Sequence, residues 1–321
     1  MEYRRLGKAG VKVSAISIGA WLTYGSESVA YETAKACIHK AVEHGVNFID
    51  VADAYERGKA EEAVGKILKD YKRSDLVIST KAFWPMSDNV NDQGLSRKHV
   101  FESIHKSLKR FDTDYIDIFF CHRFDPNTPV EETIRTLDDL VRQGKILYWG
   151  TSMWTAANIT EAVATADAVN AYRPVTEQPR YNMLDRDLVE GELETTVAQY
   201  GIGLVVFSPL SQGLLTGKYN NGIPQDSRVA QLDWVKNSQY TEERIEKVRA
   251  VSQIAQEMGT TPASLALAWA MKHPAVSSVI TGATSPTQVE ENLKALDIKI
   301  TDEIEAKIEE ALQNRPQNSH R

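Results

Sequence analysis

Positive charge is in deficit in this chain: 37 lysines and arginines face 44 aspartates and glutamates over 321 residues, a formal net charge of -7. That balance argues against nucleic acid and against an anionic membrane surface as partners, since both are bound through excess cations. An anionic ligand would have to be gripped by local cationic side chains against the overall field. Long apolar runs are also absent. No stretch of about twenty apolar residues occurs, and the opening Met1-Glu2-Tyr3-Arg4-Arg5 leads into no apolar segment. Neither a signal peptide nor membrane insertion is therefore expected, and the expected location is cytoplasmic. Cysteine is scarce. Cys37 and Cys121 lie far apart in apolar surroundings, which reads as two buried thiols rather than a disulfide or a zinc site. Two nucleotide-binding signatures are missing as well. No GxGxxG opens a helix after a strand, no GxxxxGK[ST] occurs, and Gly201-Ile202-Gly203 precedes a strand instead. A Rossmann domain and a P-loop are excluded on that ground.

What is present is a regular alternation. Apolar content of 42% and charged content of 25% suit a globular protein. Short β-branched runs alternate with amphipathic helical stretches from Ile16–Gly19 and Ala30–Glu43 onward. Asn47–Val51 precedes Lys59–Lys69, Leu76–Thr80 precedes Arg97–Arg110, and Ile116–Cys121 precedes Val130–Arg142. Ile146–Gly150 precedes Ala156–Ala166, and Val175–Gln178 precedes Leu188–Gln199. Leu204–Phe207 follows, and Val276–Ile280 leads into Thr287–Ala295. Eight such units predict an α/β fold, a closed (β/α)8 TIM barrel. Ser96 and Pro129-Val130-Glu131-Glu132 supply helix starts, while Gly45, Gly144 and Gly201 mark helix ends. No linker or repeat divides the chain, so residues 1–321 are expected to form a single domain.

Two segments depart from the alternation. Tyr3–Leu6 and Val11–Ser14 flank Gly7 and Gly10 and predict a β-hairpin ahead of the barrel, a candidate plug for its bottom. Between Pro209 and about Tyr240 the connection after strand 7 is long and rich in Gly, Gln, Asn and Ser. Connections of that kind tend to be binding loops or lids. A helix over Thr241–Met258 follows, and Pro262 is read as starting the helix of the eighth unit.

The ends of the strands carry the chemistry. Asp50, Tyr55, Lys81 and His122 all fall where buried strands finish, and in a barrel those ends converge on one mouth. Taken singly each has an ordinary explanation: a helix cap for Asp50, a snorkelling amine for Lys81, a surface ring for Tyr55, a loop residue for His122. Together they describe a proton donor. Tyrosine is a weak acid with a pKa of about 10. A neighbouring lysine ammonium is expected to lower it, with Asp50 holding that lysine charged and aimed. A histidine on the next strand orients a substrate oxygen that is gaining negative charge. That is half of a carbonyl reduction, and the other half is a hydride. Ile280-Thr281-Gly282-Ala283-Thr284-Ser285-Pro286 offers glycine and hydroxyls ahead of a helix, a weak local signal for phosphate binding.

Several motifs in order carry a resemblance. They are Gly45–Tyr55, Gly58-Lys59-Ala60-Glu61, Ser79-Thr80-Lys81, Asp117–His122, Gly150-Thr151-Ser152 and Glu177–Asn182. Phe207-Ser208-Pro209-Leu210, Gly213–Tyr219, Ser227-Arg228 and Gln288–Asn292 extend them. Over nearly its whole length the chain resembles the aldo-keto reductases, in particular the branch that includes the potassium-channel β subunits. The resemblance implies NADP(H) as cofactor, with Tyr55 as general acid, Lys81 and Asp50 as its tuning pair, and His122 as carbonyl-orienting donor. It implies that Ser152 and Gln178 hold the nicotinamide carboxamide and that Phe207 stacks on the nicotinamide face. Trp21, Ser208, Pro209 and Leu210 complete that neighbourhood. Gly213, Leu214 and Lys218 match a loop covering the pyrophosphate. Arg228, Thr284 and Gln288 match contacts to an adenosine 2′-phosphate, with Gly282 beside them, and Glu291 and Asn292 match contacts to adenine.

Two departures qualify the likeness. Met153 stands where the channel subunits carry arginine, and His122 where they carry asparagine. The histidine favours a working reductase of aldehydes or activated ketones, that is, of small-molecule carbonyl substrates. The alternative reading is a cofactor-sensing regulatory subunit of a membrane partner. A metal-dependent barrel hydrolase is disfavoured, because His44, His99, His105 and His273 fall on helices or at their ends. Trp21, Tyr24, Phe83, Trp84 and Trp154 are expected to rim an aromatic pocket. The resemblance also implies a homo-oligomer, a tetramer.

Overall fold

The computed structural model describes residues 1–21, 24–25, 30–225 and 227–317. An antiparallel hairpin of β1 (Tyr3–Arg5) and β2 (Lys12–Ser14) comes first. The repeating units follow: β3 (Ile16–Gly19) with α1 (Tyr31–Glu43), β4 (Phe48–Asp50) with α2 (Lys59–Leu68), and β5 (Val77–Ala82) with α3 (Arg97–Phe111). Next come β6 (Ile116–Cys121) with α4 (Val130–Arg142), β7 (Ile146–Ser152) with α5 (Ala156–Ala168), and β8 (Thr176–Gln178) with α6 (Glu194–Tyr200). After β9 (Gly203–Val206) lie α7 (Arg228–Gln231), α8 (Asp233–Gln239), α9 (Glu242–Glu257) and α10 (Pro262–Lys272). The last units are β10 (Val276–Thr281), α11 (Pro286–Leu293) and α12 (Asp302–Leu312). Strands β3 to β10 pair in parallel and in sequence order, and β10 closes on β3. This is the (β/α)8 barrel with an N-terminal hairpin that the alternation predicts.

The strands are buried on both faces, which is why they read as continuous apolar runs. All six residues of β5 and all six of β6 are buried. Successive side chains point to opposite faces. Ile49, Ile78 and Phe119 join the large cluster that includes residues of the surrounding helices. Phe48, Val77, Ile118 and Phe120 join a second, smaller cluster with Val205 and Ile280. Leu6 and Val13 of the hairpin complete that second cluster, both fully buried. The hairpin is thus the floor of the barrel, and burying each of those two side chains contributes about 1.5–3 kcal/mol. Gly7 lets the hairpin sit this close. Its φ is +57°, and a Cβ there would lie 2.2 Å from the carbonyl oxygen of Gly201.

Three details differ from the sequence expectation. The helix beginning at Pro262 precedes β10, so it closes the seventh unit and not the eighth. The expected helix over Leu188–Gln199 opens with wider π-type turns, Asp187–Leu193, before α6 begins. Finally, α12 follows no strand and lies outside the eight units. No helix among the described residues is long and apolar enough to cross a membrane.

Candidate active site

The same two-residue period that builds the barrel wall points polar groups into its upper interior. On β5, Ser79 and Lys81 share the face of Val77, and Asp50 shares the face of Phe48 on β4. The Lys81 ammonium is fully buried. It donates to Asp50 Oδ2 at 2.7 Å, to the Val51 carbonyl at 2.6 Å and to the Tyr55 hydroxyl at 3.3 Å. Asp50 Oδ1 accepts from Ser79 Oγ at 2.6 Å and from Gln178 Nε2 at 2.9 Å. Asp50 is thus the hub of a network drawn from β4, β5 and β8. Ser152 at the end of β7 joins it by donating to the Gln178 carbonyl at 2.9 Å.

Tyr55 stands on a single turn, Tyr55–Gly58, in which Glu56 and Arg57 take left-handed backbone angles of φ 49° and 52°. Such angles cost a non-glycine residue energy and persist only where surroundings hold them. Here Arg110 spans Gly58 to pair with the fully buried Glu61 at 2.8 Å, and Glu61 also accepts from Thr80. Beneath the turn, Asp53 accepts from Ser103 Oγ at 2.7 Å. Burial and the neighbouring Glu61 push Asp53 up to about 7.

The electrostatics differ in one respect from the expectation. The Tyr55 hydroxyl is held well above its ordinary range, first by burial and then by the Asp50 charge, with Arg123 opposing them. Burial and Asp50 outweigh any lowering of it by Lys81. Lys81 itself is lowered by burial against the pull of Asp50. His122 lies with its ring 5.9 Å from that of Tyr55, edge to face. Burial, then Lys81 and Arg123, hold the imidazole well below its usual pKa, so it is neutral. Its Nδ1 has no hydrogen-bond partner among the described residues.

The remaining candidate residues lie around the same mouth. Phe207 follows β9, bridges to Arg180 and packs against the interior cluster. The segment after it is tightly bent, with Ser208, Ser211 and Gln212 at positive φ and Gly213 at φ 95°. Asn182 Nδ2 holds the Ser208 carbonyl, and Arg244 donates to Ser211 Oγ at 2.7 Å. Pro209 and Leu210 lead into the turn Ser211–Thr216. Lys218 folds back over Gly213, where a Cβ would meet its Nζ at 3.3 Å. Arg228 donates to Gln212 Oε1 at 3.2 Å, and burial lowers its pKa. Beyond β10, Gly282 leads to Thr284, whose amide donates to Gln288 Oε1 at 2.8 Å. Glu291 pairs with Lys294 at 2.6 Å on the surface, while Asn292 is buried. Trp21 lies 6.1 Å from Trp234 of α8, which brings the long connection over the end of β3.

The aromatic rim is smaller than expected. Trp84 is exposed, with Phe83 edge-on to it and His122 6.1 Å away. Tyr24 is fully buried in the core, and Trp154 is buried edge-on to Phe124, so neither ring lines the mouth at its surface. Large rings satisfy a core as readily as a rim, and sequence position alone does not separate the two. Ser79, Arg123, Arg180 and Trp234 were not among the expected site residues. Only Ser79 carries a sequence signal, two positions before Lys81 on one strand face.

The donor set suits a nicotinamide cofactor. Gln178 spends its side-chain NH2 on Asp50, and its side-chain carbonyl oxygen could accept from a carboxamide. A half-buried Arg228 and a folded-back Lys218 could supply the local cations that an overall charge of -7 lacks. Comparison with known sequences decides the family: the Aldo/keto reductase family model matches residues 15–313. The chain belongs to the aldo/keto reductase family. Members generally use NAD(P)H, and membership supports an oxidoreductase role and small-molecule carbonyl substrates. The chain is 46% identical over 323 residues to a protein named "Probable voltage-gated potassium channel subunit beta" from Arabidopsis thaliana, covering 98% of each chain. It is 45% identical to a protein of the same name from Oryza sativa subsp. japonica, covering 99% of each. It is 43% identical to a "Putative voltage-gated potassium channel subunit beta" from Schizosaccharomyces pombe, covering 98% of this chain and 94% of that one.

Proposed function

We propose that this aldo/keto reductase reduces aldehydes or activated ketones to alcohols with NADPH, and that Tyr55 delivers the proton. The observation that carries the reading is the sequence of contacts from Tyr55 OH to Lys81 Nζ to Asp50, fixed by Ser79 and Gln178. The chemistry that a bound nicotinamide supplies is a hydride. The protein's part is to hold the carbonyl oxygen and protonate it. Burial keeps Tyr55 in its acid form throughout the physiological range, so the donor is always loaded. As the substrate oxygen gains negative charge, the proton moves from Tyr55 to it, and the ammonium 3.3 Å away stabilises the phenolate left behind. The ammonium carries out that task in a dry, low-dielectric site, where it is stronger than in water. His122, neutral, orients the oxygen as a hydrogen-bond donor.

Ser152, Gln178 and Phe207 would hold the nicotinamide, with Trp21 at its edge. Ser208, Pro209, Leu210, Gly213 and Lys218 would cover the pyrophosphate. Arg228, Gly282, Thr284 and Gln288 would meet a 2′-phosphate, and Glu291 and Asn292 the adenine. Glu291 must then exchange its Lys294 partner. The preference for NADPH over NADH rests on Arg228. Arg228→Ala is expected to weaken NADPH binding by about 10- to 100-fold, the worth of a charge-assisted hydrogen bond, and to leave NADH within about 2-fold. Equal weakening of both would remove Arg228 from the 2′-phosphate site. A second reading, a cofactor-sensing subunit of a membrane channel, draws on the names of the relatives. Tight NADPH binding with no turnover of any aldehyde would favour it.

A further inference from the structure

Among the described residues, two arginines at the mouth have no carboxylate at ion-pair distance. Arg123 follows His122, and Arg180 lies two residues beyond the Gln178 that ends β8. The Arg123 guanidinium lies 5.4 Å from the Trp84 ring and donates to the His122 carbonyl. The Arg180 guanidinium lies 5.9 Å from the Phe207 ring, and its Nε is enclosed with no hydrogen-bond partner among the described residues. The two positive charges are close enough to oppose each other, while Tyr55 and Glu177 favour the Arg123 charge and Arg180 acts at longer range on Asp185.

Among the described residues, the neighbouring carboxyl groups make their hydrogen bonds elsewhere. Asp125 accepts from the amides of Leu95 and Asn127 and from Thr128 Oγ1. Asp185 is held by both terminal nitrogens of Arg244, at 2.9 and 3.1 Å. Glu177 turns inward to Thr151 and to the Trp154 amide, and burial pushes it up to about 8, so it is mostly uncharged at neutrality. Asp50 belongs to Lys81. In a chain with seven more acidic than basic side chains, two half-buried guanidinium groups beside the reacting groups have no carboxylate of the described residues at ion-pair distance. Partly buried cations without a carboxylate at contact distance are unfavourable, and their planar fork suits one.

We propose that Arg123 and Arg180 form a recognition site for a carboxylate on the substrate, remote from its carbonyl carbon, so that preferred substrates are aldehydes bearing a carboxylate. This inference rests on the reductase reading and narrows its substrate class. The anion docks against the guanidinium pair while the carbonyl oxygen meets Tyr55 and His122. Trp84 and Phe207 flank the aryl or alkyl body between them.

The test uses a matched pair, 4-carboxybenzaldehyde and the uncharged 4-formylbenzamide, with NADPH and the full chain. Wild type is expected to show a KM at least about 10-fold lower for the charged aldehyde, the worth of hydrogen bonds to a charged group. Arg180→Gln is expected to remove that advantage and leave 4-formylbenzamide and NADPH within about 2-fold, while Arg180→Lys restores part of it. Equal KM values in wild type overturn the inference and leave the reductase reading intact. So does an Arg180→Gln variant that weakens NADPH, which would assign Arg180 to the cofactor. A second readout does not need turnover. The products 4-carboxybenzyl alcohol and 4-(hydroxymethyl)benzamide are titrated onto NADP-loaded protein by tryptophan fluorescence. Tighter binding of the charged alcohol, lost in Arg180→Gln, upholds the anion site even if no aldehyde is reduced. Equal binding overturns it even if aldehydes are reduced.

Discussion

Replacing Lys81 with methionine keeps the shape of the side chain and removes its charge. The ammonium is fully buried, and Asp50 beneath it is 3% exposed. Asp50 would keep Ser79 and Gln178 as donors, but its charge would stand uncompensated inside the barrel. Breaking one side of such a pair costs about 3–5 kcal/mol. Unfolding entropy of about 2.1 cal/mol/K per residue over 321 residues is about 0.7 kcal/mol/K. Lys81→Met should therefore lower Tm by about 4–7 °C. The double variant Asp50→Leu with Lys81→Met removes both charges and should recover at least half of that loss, because a buried pair is worth little net against apolar residues. Thermal unfolding followed by circular dichroism on the two single variants and the double gives the cycle. Reduction by Lys81→Met should fall by about 10²- to 10⁴-fold, the usual share of a general acid and its support. A Tm change below about 1.5 °C, or a double variant destabilised by the sum of the two singles, would refute the buried-pair account.

Two further predictions concern titration. An unfolded aspartate titrates near 4, whereas folded Asp53 is pushed up to about 7. Across that window the folded state holds a proton that the unfolded state has lost, so Asp53 makes stability fall as pH rises. Asp53→Asn should remain protonation-neutral, and its advantage over wild type in urea unfolding should widen by about 2–3 kcal/mol between about pH 5 and about pH 8. A constant gap would mean that Asp53 is charged in the folded protein at both values. His122, held well below its ordinary pKa, should show no shift of its ring-proton NMR signals from about pH 8 down to about pH 5.5. A titration in that range would make it a cation and remove the neutral-donor role.

The barrel was legible because parallel strands buried on both faces leave apolar runs, and glycines such as Gly45, Gly144 and Gly201 end the intervening helices at positive φ. The hairpin floor was legible from Leu6 and Val13 alternating about Gly7. The placement of Asp50, Lys81 and His122 at the ends of neighbouring strands was legible from where the apolar runs stop. What sequence does not carry is the balance of burial against charge. The pair of Lys81 and Tyr55, considered by itself, predicts a lowered phenol pKa, yet desolvation and Asp50 reverse the sign. Tyr24 and Trp154 went into the core rather than the rim for the same reason: a ring's environment depends on what packs over it. Arg123 and Arg180 look like any loop arginines until the carboxylates around them prove to be engaged. By contrast, α12 carries a start signal in the sequence itself. Thr301 accepts from the Ile304 amide, and Asp302, Glu303 and Glu305 fill its first turn.

The central claim, that Tyr55 is the proton donor, is tested most directly by single-turnover loss of NADPH absorbance in wild type and Tyr55→Phe. Both proteins are saturated with NADPH and mixed with an aromatic aldehyde. The account predicts that the variant binds NADPH within about 2-fold of wild type and slows the turnover by at least about 10²-fold. An unchanged rate in Tyr55→Phe, with NADPH bound as tightly as before, would contradict it.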